Sequence, residues 1–117
     1  MSAYIDAFAV PVPSDRKADY IEAGKVFAAV FKDCGALSVV EYWGDDVPEG
    51  KLTSFPLAVK LEPGETVVLS WVSWPSKEAR DVGNEKARTD PRMAMSPDMP
   101  LDFKRMIFGG FALLNEV

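Results

Sequence analysis

Thr66-Val67-Val68-Leu69-Ser70-Trp71-Val72-Ser73-Trp74 decides how this chain folds. Its β-branched and aromatic residues suit a pleated strand. Successive side chains of a strand point to opposite faces, so Val68, Val72 and Trp74 oppose Val67, Leu69 and Trp71. A sheet with one solvated face alternates apolar with polar residues. Here both sides are apolar, and the strand is built to be covered twice.

Before this stretch, Glu62-Pro63-Gly64-Glu65 has proline and glycine where a tight turn wants them. Residues 55–61 carry Phe55, Leu57, Val59 and Leu61 on one side, which predicts an edge strand joined to residues 66–74 as a hairpin. After it, Ser76 caps a predicted helix over 77–89 whose apolar face is thin: Ala79, Val82, Gly83 and Ala87. Asp90 and Pro91 then start a short helical turn running to Met95. Residues 96–103, interrupted by Pro97 and Pro100, form a loop, and residues 104–114 a last strand.

Nearer the amino terminus, residues 3–10 alternate as a strand and stop at Pro11-Val12-Pro13. Ser14 or Asp15 is placed to cap a helix reaching Cys34, with Tyr20, Gly24, Phe27, Phe31 and Cys34 in one stripe widened by Ile21 and Ala28. Gly35 supplies the left-handed stop. Residues 37–43 form the second strand, and a polar, acidic loop spans 44–54. The order is β-α-β-(β)-β-α-β within one domain, residues 1–117. It predicts an α+β, ferredoxin-like fold, an antiparallel sheet with both helices on one face.

The first and last strands are apolar on both sides too: Tyr4, Phe8 and Val10 against Ile5, Ala7 and Ala9, and Met106 and Phe108 against Ile107 and Phe111. Two helices cannot cover both faces of such a sheet, and a monomer tolerates exposed apolar patches of only a few hundred Å². A second copy packed by two-fold symmetry covers the remaining face at least cost. The expectation is a homodimer through sheet faces, a dimeric α/β barrel.

Composition narrows the chemistry. The 117 residues include no histidine and one cysteine, Cys34. Imidazole-based nucleophile systems and His/Cys zinc sites are excluded, and no cofactor or metal is expected. One cysteine cannot form an internal disulfide; placed on the apolar side of a helix end, Cys34 reads as a small buried hydrophobe. The net charge of −5 disfavours nucleic acid as a partner. No apolar run approaches the ~20 residues of a membrane span. The amino terminus enters strand-like sequence without a signal-peptide pattern, which points to the cytoplasm.

Four segments carry a resemblance. Glu41-Tyr42-Trp43-Gly44-Asp45-Asp46-Val47-Pro48-Glu49-Gly50-Lys51, Trp74-Pro75-Ser76-Lys77-Glu78-Ala79-Arg80-Asp81, Asp90-Pro91-Arg92-Met93 and Lys104-Arg105-Met106-Ile107-Phe108-Gly109-Gly110-Phe111 resemble the YbaA-like family of small bacterial proteins of unknown function. In the first strand a glycine is expected where Ala7 stands. The resemblance implies the dimeric α/β-barrel fold and no activity. More distant members of that superfamily include cofactor-independent monooxygenases and haem-handling enzymes, but fold does not fix function.

The candidate catalytic residues are Asp6, Glu41 and Arg105, polar groups set in apolar strands, where burial is costly unless they are paired or used. Asp6 and Arg105 are expected to pair across neighbouring strands, either as a structural ion pair or with the carboxylate as general base. Trp43 is a pocket wall, and Asp45 and Asp46 form a solvated acidic loop. Trp71 and Trp74 differ in parity and point to opposite faces. Gly109 and Gly110 mark a close approach, of the partner's backbone or of a ligand. Two functions remain open. One is a small-molecule binder, or an enzyme working without a cofactor, with a pocket between sheet and helices floored by Tyr4, Asp6, Trp43 and Trp71 and gated by residues 96–103. The other is a non-catalytic protein-interaction module.

Overall fold

The computed structural model describes residues 3–94 and 98–117. Strand β1 (Tyr4–Pro13) leads through a short 3-10 turn, Ser14–Arg16, into helix α1 (Lys17–Asp33). Strand β2 (Ser38–Trp43), helix α2 (Phe55–Ala58), strand β3 (Glu65–Trp74) and helix α3 (Lys77–Arg88) follow. A 3-10 turn, Pro91–Met93, precedes the last strand, β4 (Ile107–Ala112). The four strands form one antiparallel sheet in the order β2-β3-β1-β4. This α+β arrangement is compatible with a ferredoxin-like fold.

Local chemistry explains most boundaries. Gly35, at φ 109°, follows α1 in the left-handed conformation that a side chain resists. Ser76 Oγ accepts the Ala79 N–H at 3.0 Å and caps α3, and the Asp90 side chain caps the turn at Pro91. The expected cap of α1 is absent: Arg16 stands at its N-cap position without a side-chain bond, and Ser14 Oγ instead meets Thr66 Oγ1 at 2.7 Å.

In place of the predicted edge strand over 55–61, residues Phe55–Ala58 form helix α2 and a turn follows at 59–60. Ser54 Oγ accepts the Leu57 N–H at 3.0 Å, and Leu61 N donates to Pro56 O at 2.9 Å. Pro56 lacks the N–H a strand ladder needs and suits a helix's first turn. No hairpin therefore forms. The turn at Glu62–Glu65 is present, but it links α2 to β3, and Ser14 N donates to Gly64 O at 2.8 Å. The last strand is shorter than its apolar run; Arg105 precedes it.

Register sets the two faces of the sheet. Asp6 lies between Val72 of β3 and Gly110 of β4, and Glu41 lies opposite Ser70. The face carrying Asp6, Val10, Glu41, Val68, Val72 and Trp74 receives α1 and α3. Trp74 is fully buried, with Phe31 of α1 edge-on at 6.3 Å. A Cβ on Gly83 of α3 would overlap the Trp74 ring and lie 2.8 Å from Cys34 O, so glycine there lets the helix approach the sheet.

On the other face, fully buried Val59 and the half-buried Leu61 pack with Ala9, Val67 and Leu69. The segment after α2 thus covers one end of the helix-free side. Tyr42, Ile107 and Phe111 remain exposed on it, and Trp71 lies there with its ring stacked on Tyr42 at 5.3 Å.

Candidate functional site

Between the sheet and α1 lies a cavity of about 240 Å³. Tyr20, Gly24, Phe27 and Phe31 come from one stripe of α1; Phe8, Val10, Val39, Glu41, Ser70 and Val72 come from the sheet. Met93, Leu101, Phe103 and Met106 close it from the segments beyond α3. Leu101 and Phe103 belong to the loop expected as a gate. Met95, Ser96 and Pro97 lie outside the described residues.

Among the described residues, the cavity's walls are apolar apart from three groups. Tyr20 O–H donates to Glu41 Oε2 across the gap from α1 to β2. Burial, reinforced by the Glu41 hydrogen bond, pushes the Tyr20 phenol well above its ordinary range, so it stays a donor at any physiological pH. Ser70 is buried beside Glu41 in the register of β2 and β3. The Glu41 carboxylate lies over Gly24, where a Cβ would overlap Oε1. Glycine in the middle of a helix costs about 1 kcal/mol relative to alanine; here it makes room for a carboxylate. Glu41 also lines a shallow outer groove of about 380 Å³, which runs past Lys17, Tyr42 and Trp43. Lys17 Nζ sits 5.0 Å from the Trp43 ring centre. Glu41 therefore stands at the mouth between groove and cavity.

The other candidates lie elsewhere. Asp6 is 6% exposed and does not line the cavity. Its Oδ1 accepts from Arg80 Nε at 2.9 Å; its Oδ2 accepts from Trp74 Nε1 at 3.1 Å and from Asn84 Nδ2 at 3.2 Å. A carboxylate with these three donors has the environment of a structural anchor. The expected pair of Asp6 with Arg105 does not form. Register places Gly110, not Arg105, beside Asp6, and Arg105 lies five positions earlier.

Arg105 holds Glu65 through two bonds of 2.7 Å, Asp102 at 2.8 Å and the Lys60 carbonyl at 3.0 Å. It ties the α2–β3 turn to the approach of β4. Tyr4 lies under Arg80, 5.3 Å from its guanidinium carbon. The space above Gly110 is taken by Tyr4 and Arg80, and a Cβ there would lie 2.8 Å from Arg80 Nη2. That close approach serves the chain's own side chains.

Trp71, on the opposite sheet face, floors no pocket under the helices, and Trp43, expected in that pocket's floor, lines the outer groove and not the cavity. Asp45 and Asp46 are exposed. Among the described residues, no group of three or more His, Cys, Asp or Glu side chains is placed to hold a metal ion. No helix among them is long and apolar enough to cross a membrane.

Residues 3–103 match the model of a family described as "Protein of unknown function (DUF1428)". The chain is 52% identical over 115 residues to the uncharacterized protein YbaA of Escherichia coli K12, covering 97% of this chain and 98% of that one. The same figures hold for YbaA of Escherichia coli O157:H7 and of Shigella flexneri. The chain belongs to the DUF1428, YbaA-like family. The DUF1428 match takes in β1 to β3, α3 and the cavity's walls as far as Phe103. The likeness to YbaA extends through almost the whole chain, which leaves little of the family's fold outside the elements described above.

Proposed function

We propose that this YbaA-like protein is a cytoplasmic homodimer that binds a small molecule in the cavity between the sheet and α1. The cavity carries the reading. It is a half-open hollow lined mainly by apolar side chains with a few convergent polar groups, the usual composition of a ligand site. Tyr20 and Glu41, its only titratable lining groups among the described residues, are hydrogen-bonded to each other, which favours recognition over acid–base catalysis. Ligand pockets commonly run to about 300–1,000 Å³, so the occupant is small. The dimer is supported by Tyr42, Ile107 and Phe111 standing exposed on the sheet face that α2 leaves uncovered.

Titrating a panel of small aromatic and branched aliphatic compounds into the protein tests the site, with melting temperature and amide chemical shifts read together. A binder present at a hundred times its Kd stabilises by about 2.7 kcal/mol. The expected result is a raised melting temperature with shifts confined to Gly24, Val39, Val72 and their neighbours. No shift from any compound, or shifts clustered away from these residues, overturns the reading.

A further inference from the structure

The cavity's one carboxylate points to the ligand's charge. Glu41 Oε2 takes the Tyr20 hydroxyl, while Oε1 lies over Gly24 with no hydrogen bond to any described residue. No Lys or Arg among the described residues forms an ion pair with Glu41. Most other carboxylates on this sheet and its turns are held by cations: Asp6 by Arg80, Glu65 by Arg105, Asp90 by Arg92. Glu41 is exposed at the mouth of the apolar cavity, so water meets its charge until a cationic occupant takes that water's place.

The walls describe the rest of the occupant. Phe8, Phe27, Phe31 and Phe103 surround the space, and aromatic faces attract a cation as well as an apolar ring. An apolar cavity of about 150 Å³ holds a benzene ring, so the 240 Å³ here accepts one ring with a short side chain.

We infer that the ligand is a small aromatic ammonium, its ring in the cavity and its N–H groups on Glu41 Oε1 at the mouth. This rests on the cavity being the ligand site. The carboxylate supplies the charge, the Tyr20 hydroxyl fixes its orientation, and Gly24 leaves it room. The half-open position of Glu41 keeps the ammonium partly hydrated, which reduces the cost of desolvating it.

Three probes of nearly equal shape separate the possibilities: phenethylammonium, 2-phenylethanol and phenylacetate, titrated by calorimetry at neutral pH. Phenethylammonium is expected to bind about tenfold or more tighter than the alcohol, the effect of one charge-assisted hydrogen bond, and phenylacetate weakest of the three. In Glu41→Gln the ammonium and the alcohol are expected to bind alike; the wild-type ratio decides the matter even where that variant does not fold. Equal binding of ammonium and alcohol by the wild type overturns the charge assignment and leaves the cavity as a neutral site. Binding of none of the three overturns both.

Discussion

Arg80 Nε lies 2.9 Å from Asp6 Oδ1 and joins helix α3 to β1, an inner strand of the sheet. Trp74 and Asn84 complete the Asp6 carboxylate, and Gly110 clears the space the guanidinium needs. The pair fixes how α3 sits on the sheet.

Removing one partner of a buried ion pair leaves an uncompensated charge and costs about 3–5 kcal/mol. In Asp6→Ala, Arg80 is partly exposed and keeps Asp81 as a partner, while Trp74 Nε1 and Asn84 Nδ2 lose their acceptor, so the expected loss in chemical denaturation is smaller, about 1–3 kcal/mol. Asp6→Asn, which keeps the shape, is expected to lose less and to leave affinity for cavity ligands unchanged. A change in ligand affinity in a folded Asp6→Asn protein would return Asp6 to the site.

The Arg105 cluster gives the fold an acid-sensitive joint. Arg105 holds the Glu65 carboxyl below the usual glutamate range and does the same for Asp102. A carboxylate depressed in the folded state contributes stability above its unfolded value, about 4.3 for glutamate, and loses it as pH falls through the folded value. Melting temperature is expected to drop between about pH 5 and pH 3. Arg105→Met is expected to cost about 2 kcal/mol at neutral pH and to flatten that drop. An unchanged acid slope in the variant would show that the pairing contributes nothing.

Phe111 is 56% exposed on the helix-free face of β4, an edge strand. If two copies cover one another there, a charge at its centre cannot be buried without a partner. Sedimentation at micromolar concentration is expected to give twice the chain mass for the wild type and the chain mass for Phe111→Glu. A wild type that sediments as one chain rules out the paired assembly.

Much of the fold was legible because it rests on local chemistry. Gly35 ends α1, Ser76 opens α3, and the doubly apolar stretch that became β3 lies inside the sheet. Residues 55–61 misled because Phe55, Leu57, Val59 and Leu61 alternate; Ser54 followed by Phe55-Pro56 was the competing signal, a capped helix start, and it won. The site was half legible. Glu41 stood out as a carboxylate among apolar residues, but Tyr20, Gly24, Phe27 and Phe31 formed a stripe indistinguishable from ordinary core. In the sequence Arg80 stands beside Asp81 with no sign of a more distant partner, and only the packing of α3 on the sheet reveals its reach to Asp6. The pairing assigned to Arg105 failed on register, which sequence alone does not fix for strands so distant along the chain.

The ionic fastening of Asp6 lies beneath α3, whereas the hollow lies beneath α1. The molecule thus keeps its rivets and its receptacle in separate compartments. Tyr20 and Glu41, on the hollow's far wall, touch none of the groups that hold Asp6, so the hollow can be reshaped there while the scaffold stays intact.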